Sequence, residues 1–261
     1  MYIHFPKLTH MKIVLIGSGN LATIIGRLAI LKNHEIVLVS SRTLENAKAL
    51  ADEFNCAFSN YSEVNSVEAD IYILAISDSA IENTLLETGK INGLLVHTAG
   101  SISINVLADN SSQYGVLYPL QTLRKNMDAI PEIPLLIDGN NDNTYNVIKG
   151  FAETLSSWVK KTGDTERLNL HAAAVIVSNF TNHLYFLGED FCEKENLDFN
   201  LLKPLIIETA NRIINHSPSE MQTGPAKRHD IQTLEKHLRL LSKYPKLRTT
   251  YMRLTDSIMN L

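Results

Sequence analysis

The run KIVLIG, Lys12–Gly17, is apolar up to its last residue and stops on a glycine, after which the chain reads SGNLATIIGRLAILK. The first part has the length and Val/Ile/Leu content of a buried strand, and the second has the 3.6-residue period of a helix. A strand that feeds a glycine turn and then a helix opens a βαβ unit, because strands running the same way need a long crossover between them. This junction commits the chain to an α/β fold before any other residue is considered.

The same alternation continues. EIVLVSSR (35–42) reads as the next strand and TLENAKALADEF (43–54) as a helix, with Thr43 placed to cap its start. DIYILAIS (70–77), GLLVHTAG (93–100), YGVLYP (114–119) and PLLIDG (134–139) read as further strands. Their near-continuous apolar content fits a mostly parallel sheet covered on both faces. Near Trp158 the pattern changes. Beyond SWVKKTGD only helix or loop is expected: an apolar helix over Glu166 to Gly188, NLLKPLIIETANRIIN, the loop SPSEMQTGPAKRHD (217–230), and one charged helix from Ile231 to Met259. The expected division is an N-terminal extension, 1–10, an α/β domain, 11–158, and a helical domain, 159–261.

Composition narrows the partners. A net charge of −4 gives no reason to expect nucleic acid or an anionic membrane. Cys56 and Cys192 are far apart in sequence and lack neighbours at metal-ligand spacing, so neither a disulfide framework nor a metal site is expected. No apolar run approaches the ~20 residues that cross a bilayer, and MYIHFPKLTH is too short and polar for a signal peptide. A soluble, cytoplasmic protein is expected.

Gly17, Gly19 and Ala22 form G-x-G-x-x-A between strand and helix. Gly17 permits the tight turn, Gly19 lets backbone approach a pyrophosphate, and the small Ala22 allows close helix–strand packing. With Ser18, Asn20 and Leu21 they place a helix N-terminus, with its free N–H groups, at an anion. The alternative is a glycine turn that binds nothing. An NAD site usually ends its second strand in an acid that accepts from the ribose 2′-hydroxyl. Here Ser41, Arg42 and Thr43 stand there instead, and Arg42 can pair with a 2′-phosphate, which favours NADP. Ligands of open α/β sheets bind outside the carboxyl ends of strands. Ala75, Ile76, Ser77 and Asp78, and the ends Thr98, Ala99 and Gly100, are therefore expected to flank the cofactor. The small Ala99–Gly100 pair would let a ring lie close to backbone.

Chemistry in the second half has two candidate sources. His171, Ser178 and Asn182 fall on one helical stripe at 100° per residue. His171 can give a proton to a carbonyl or imine while Ser178 and Asn182 orient the substrate, and the small Ala174 leaves room. The competing reading is a solvated helix face, since Arg167 and Glu189 extend the same stripe. In TGPAKRHD, Lys227, Arg228 and His229 present positive charge beside Asp230, and this loop can clamp a substrate carboxylate or phosphate, or Asp230 can simply cap the next helix. Tyr118, in LYPLQT, can supply a hydroxyl, or can be a structural turn residue.

The loop GSGNLA, with SSRT after the second strand and DIYILAIS at the fourth, resembles pyrroline-5-carboxylate reductases and the deazaflavin-dependent NADP reductases. The later YPLQT, HAAAVIVSNFTNHL and GPAKRHD are similar to a narrower group of Rossmann-type NADP oxidoreductases whose helical C-terminal domain has no settled function. The resemblance covers the chain from Met11 onward. It implies a Rossmann doubly wound, mostly parallel sheet followed by an all-α domain like the dimerising one of 6-phosphogluconate dehydrogenase relatives, and a homodimer. It supplies no substrate. The chain has neither the K-x-x-x-N pair of hydroxyacid dehydrogenases on its long helix nor the Ser/Thr-rich end of pyrroline-5-carboxylate reductases. The expected activity is NADP-dependent reduction of a C=O or C=N bond in a small, anionic metabolite. The alternative is a non-catalytic NADP-binding sensor or scaffold.

Overall fold

The structure is a computed structural model that describes residues 10–260. Its strands are β1 (Lys12–Ile16), β2 (Glu35–Ser40), β3 (Ala57–Ser59), β4 (Ile71–Leu74), β5 (Leu94–His97), β6 (Gln113–Pro119), β7 (Leu135–Gly139) and β8 (Val159–Lys161). They form one sheet in the order β3-β2-β1-β4-β5-β6-β7-β8. Every pairing is parallel except β6 with β7. The Leu120–Pro134 connection holds no helix, and without a helical crossover it returns the chain antiparallel.

Helices α1 (Asn20–Leu31), α2 (Leu44–Phe54), α3 (Ile81–Thr88) and α4 (Asp142–Leu155) join the strands. Both sheet faces are covered. Along β1, Ile13 and Leu15 enter one buried cluster with Ile24 and Phe151, while Val14 and Ile16 enter another with Leu74 and Leu85. Alternate residues of a strand point to opposite faces, so a strand buried on both must be apolar throughout. Thr43 occupies the N-cap position of α2, but its side chain makes no capping bond.

Two strands were not legible as apolar runs. β3 is only AFS and β8 only VKK. β8 pairs with β7 and carries the sheet past residue 158, with Lys160 and Lys161 exposed on the edge strand. The chain divides into compact units between Asn179 and Phe180 rather than at 158/159. The first unit thus includes α5 (Asp164–Ala174), which begins a helical path that widens into a π-turn over Val175–Phe180.

The second unit holds α6 (Thr181–Lys194), α7 (Lys203–Arg212), α8 (Pro218–Met221), α9 (Ile231–Leu240) and α10 (Pro245–Met259). Leu187, Cys192, Ala226, Leu234 and Leu241 are its buried side chains. The single charged helix expected over 231–259 is two, because Pro245 forces the residue before it out of helical geometry. The short α8 lies within the expected loop, started by a capping box between Ser217 and Glu220. The expected extension, 1–10, lies outside the described residues except for His10, whose Nδ1 is 2.7 Å from the Asn33 carbonyl. Among the described residues no helix is long and apolar enough to cross a membrane.

Candidate active site

The sheet order reverses between β1 and β4, and a cleft of about 630 Å³ opens at the carboxyl ends of these strands. Gly17–Leu21 form one wall, Ser41–Thr43 another, and Ala75–Ser77 the floor. Gly17 has φ +127°, and a Cβ there would strike the carbonyl oxygen of Ala75, so only glycine fits. A Cβ at Gly19 would point into open space, which leaves the backbone free for close approach. No side chain caps the N-terminus of α1, and its first turn holds no acid. Its amides and dipole therefore face the cleft uncompensated, which is what a diphosphate requires. Ala22 is fully buried beneath the turn.

At the second strand Ser18 Oγ donates to Ser41 Oγ at 2.8 Å, tying the glycine turn to the end of β2. Arg42 is exposed, and no ion pair among the described residues engages it. Asn20 behaves differently from its neighbours. Its Oδ1 accepts from the Lys125 amide at 3.1 Å, so its side chain holds the segment after β6.

At the ends of β4 and β5 the expected residues divide: Ala75, Ile76 and Ser77 line the cleft, and the others do not. Asp78, Thr98, Ala99 and Gly100 are not in the lining of this cleft. Thr98 and Ala99 are buried, and Thr98 Oγ1 donates to the Leu74 carbonyl at 3.0 Å. Asp78 accepts a short hydrogen bond from Ser101 Oγ. A ring does lie close to Gly100, but it belongs to the protein: a Cβ at position 100 would be 2.8 Å from Cγ and Nδ1 of His171.

That imidazole stands at a second pocket, of about 390 Å³, within the first unit. His171 Nδ1 and Tyr118 Oη are 2.8 Å apart, with the rings edge to face. Ser178 Oγ and Thr122 Oγ1 are 2.9 Å apart. Ala174 lines the same wall, as expected of a small residue that leaves room. Past Val175 the helix has the wider i→i+5 turn, so the uniform 100° step does not hold there. What unites His171 and Ser178 is the segment Tyr118–Thr122, which meets both. Burial pushes the Tyr118 phenol above its ordinary pKa and the Asp78 charge adds to this, while Arg167 pulls it back. The phenol therefore stays protonated.

Asn182, Arg228 and Asp230 belong to the second unit. Asn182 is exposed at the start of α6 in the second unit. Asp230 caps α9, its carboxylate accepting from the Thr233 amide at 3.1 Å and hydroxyl at 2.7 Å. These bonds hold its pKa below the usual range, with help from Arg228 and Lys236. Arg228 is exposed on the turn before it. Arg167 overturns the solvated-face reading at its own position: its side chain is 1% exposed, and no local pattern distinguishes a buried arginine from a solvated one. Thr122 and Gln121 at the pocket, and Tyr61 and Asn83 at the cleft, were missed for the same kind of reason. Tertiary packing brings them together without a motif.

A sequence profile described as NADP oxidoreductase coenzyme F420-dependent matches residues 12–99, and a domain of unknown function, DUF2520, matches residues 133–258. No curated protein matches. Among solved structures, a Bacteroides fragilis protein assigned as an NADP oxidoreductase is 37% identical, over 97% of this chain and 100% of that one, with a TM-score of 0.89. A Thermotoga maritima protein is 21% identical over 95% and 97%, with a TM-score of 0.69. A pyrroline-5-carboxylate reductase from Streptococcus pyogenes is 15% identical over 97% and 100%, with a TM-score of 0.66. At these last two identities the likeness is one of fold.

Proposed function

Because the chain belongs to the NADP oxidoreductase family that joins a coenzyme F420-dependent-type nucleotide domain to a DUF2520 domain, we propose that it uses NADP(H) to reduce a C=O or C=N bond of a small metabolite. The reaction is placed at the pocket between Tyr118, Thr122, His171 and Ser178. One observation carries this reading: the 2.8 Å pair of His171 and Tyr118, seated on Gly100 just beyond the carboxyl end of β5. The cleft beside Gly17 and Gly19 fits the cofactor, since it offers an uncapped helix N-terminus, an open backbone approach and an unpaired Arg42 for the 2′-phosphate.

When bound, the nicotinamide supplies the hydride. The protein supplies the proton. With the phenol donating to Nδ1, the His171 ring carries its own proton on Nε2. His171 gives that proton to the substrate oxygen or nitrogen and takes the Tyr118 proton at Nδ1, so the ring ends neutral and the phenolate is refilled from solvent. Ser178 and Thr122 orient the substrate through their hydroxyls. Asn182 and the exposed Arg228 stay candidates to orient an anionic substrate, whereas Asp230 is committed to capping α9. We extend the reading to a homodimer built on the second unit, where Phe186, Leu201, Leu205 and Ile214 are exposed.

The test is NADPH consumption with a panel of ketones, imines and keto acids, run on the native protein and on His171→Ala. Turnover that depends on His171 while NADPH still binds to the variant supports the assignment. Equal turnover in the two proteins removes His171 from the reaction.

A further inference from the structure

Arg167 lies one helical turn before His171 on α5, and the two side chains engage the same loop. Arg167 Nη2 donates a short hydrogen bond to the Ile102 carbonyl, two residues beyond the Gly100 backbone that supports the imidazole. The same Nη2 is 2.7 Å from Asp164 Oδ1, in the first turn of α5. That oxygen also accepts from the Ile104 amide at 3.1 Å. One guanidinium and one carboxylate thus staple the turn after β5 to the start of α5. Burial acts to raise the Asp164 pKa, but the Ser103 hydroxyl, Arg167 and the Ile104 amide hold it below the ordinary range.

Both bonds of this staple leave from one nitrogen, and the rigid guanidinium plane fixes the directions of its two N–H groups. Nε and Nη1 have no partner among the described residues, so the cation is matched from one side only. A buried charge so placed is costly to keep for stability alone, since apolar replacements of buried ion pairs are often neutral or stabilising.

We propose that Arg167 is the positioning residue of this site: through Asp164 and Ile102 it locks the loop at Gly100 against α5 and so holds the His171 imidazole in hydrogen-bonding register with Tyr118. The inference rests on the reading of that pair given above. Two further groups sense the same cation. Arg167 opposes the upward shift of the Tyr118 phenol, and it adds to the burial that depresses His97. A cation on this side also steadies the phenolate left when Tyr118 gives up its proton.

The test needs no substrate. Nitrogen-15 labelled histidine gives the His171 ring an NMR signature of its Tyr118 hydrogen bond, assigned by its change in Tyr118→Phe. In Arg167→Met we expect that signature to be lost while NADPH binding is kept. With a substrate in hand, turnover should fall by about 100-fold, the cost of roughly an ångström of misplacement, with the NADPH KM unchanged. An intact His171 signature in Arg167→Met overturns the proposal. If Arg167→Met does not fold, Asp164→Ala removes the shared acceptor at a partly exposed position, and an intact signature there overturns it equally. If Tyr118→Phe leaves the histidine spectrum unchanged, the pair itself is wrong, and the proposal falls with it. If the signature behaves as expected but no substrate is reduced, the positioning role stands and only the reaction assignment fails.

Discussion

Gly100 and His171 pack so tightly that a Cβ at position 100 would stand 2.8 Å from two ring atoms of the imidazole and 3.0 Å from its Cβ. The glycine is required by this approach, since its backbone conformation is open to any residue. It sits just past β5, where an open α/β sheet presents its ligands.

Gly100→Ala should therefore displace the imidazole from Tyr118 without altering the cleft at Gly17. We expect turnover to fall by about 100-fold and NADPH affinity to be kept, as read by steady-state kinetics and by a fluorescence titration. Loss of NADPH binding in this variant would put position 100 back in contact with the cofactor.

Arg42 should set the choice between nucleotides. A hydrogen-bonded charge pair contributes about 1.5–3 kcal/mol, so Arg42→Ala should weaken NADPH by roughly 10- to 100-fold. NADH, which lacks the 2′-phosphate, should be nearly unaffected. Parallel titrations with the two nucleotides decide it, and an equal loss for both would take Arg42 out of the phosphate site.

The backbone plan of the first unit was legible because a strand buried on both faces must be apolar throughout, and β1, β2, β4, β5, β6 and β7 each announce themselves that way. β3 and β8 did not, because three-residue edge strands carry no such run. The glycine turn was legible since Gly17 has a mechanical requirement that no other residue meets. The second pocket was legible only in pieces. His171, Ser178 and Tyr118 each stood out as chemistry-bearing side chains, yet their meeting depends on the end of β6, and Thr122 just beyond it, packing against the helical path from α5, which no local pattern encodes. Arg167 was misleading for a physical reason: a charged residue on a helical stripe normally marks solvent, and here one carboxylate and one carbonyl make its burial tolerable. Asp230 was ambiguous between ligand and cap, and its two bonds to Thr233 decide for the cap.

Acid should destabilise the fold through His97. Its Nδ1 accepts from the Ala99 amide at 3.1 Å, and burial, with Arg167 nearby, lowers its pKa from 6.5 to about 4. A histidine depressed in the folded state is neutral there and charges more readily when unfolded. Its contribution is therefore full above pH 6.5, is lost as the pH falls, and levels off below about 4. At 1.36 kcal/mol per unit the whole span is on the order of 3 kcal/mol, about two-thirds of it lost by roughly pH 5. His34, lowered by its own burial and by His10, acts in the same direction. Urea midpoints at neutral and acid pH should show a steep slope in the native protein and a flatter one in His97→Gln. An equal slope in both would assign the acid sensitivity elsewhere.

The second unit should carry the assembly. Leu201 is 77% exposed, Ile214 75% and Leu205 61%, and Phe180 and Phe186 are also exposed. Single exposed apolar residues are ordinary, but so many in a unit of this size exceed what isolated soluble helices leave uncovered. Burying such surface against a second copy returns about 25 cal/mol per Å² before the cost of association is met, so a stable contact needs many of these side chains together. The native protein should sediment as a dimer at micromolar concentration. The pair Leu201→Asp with Leu205→Asp should shift it to monomer while leaving NADPH binding intact, because the cleft at Gly17 lies wholly in the first unit. A monomeric native protein would show that these side chains are not covered by a second copy.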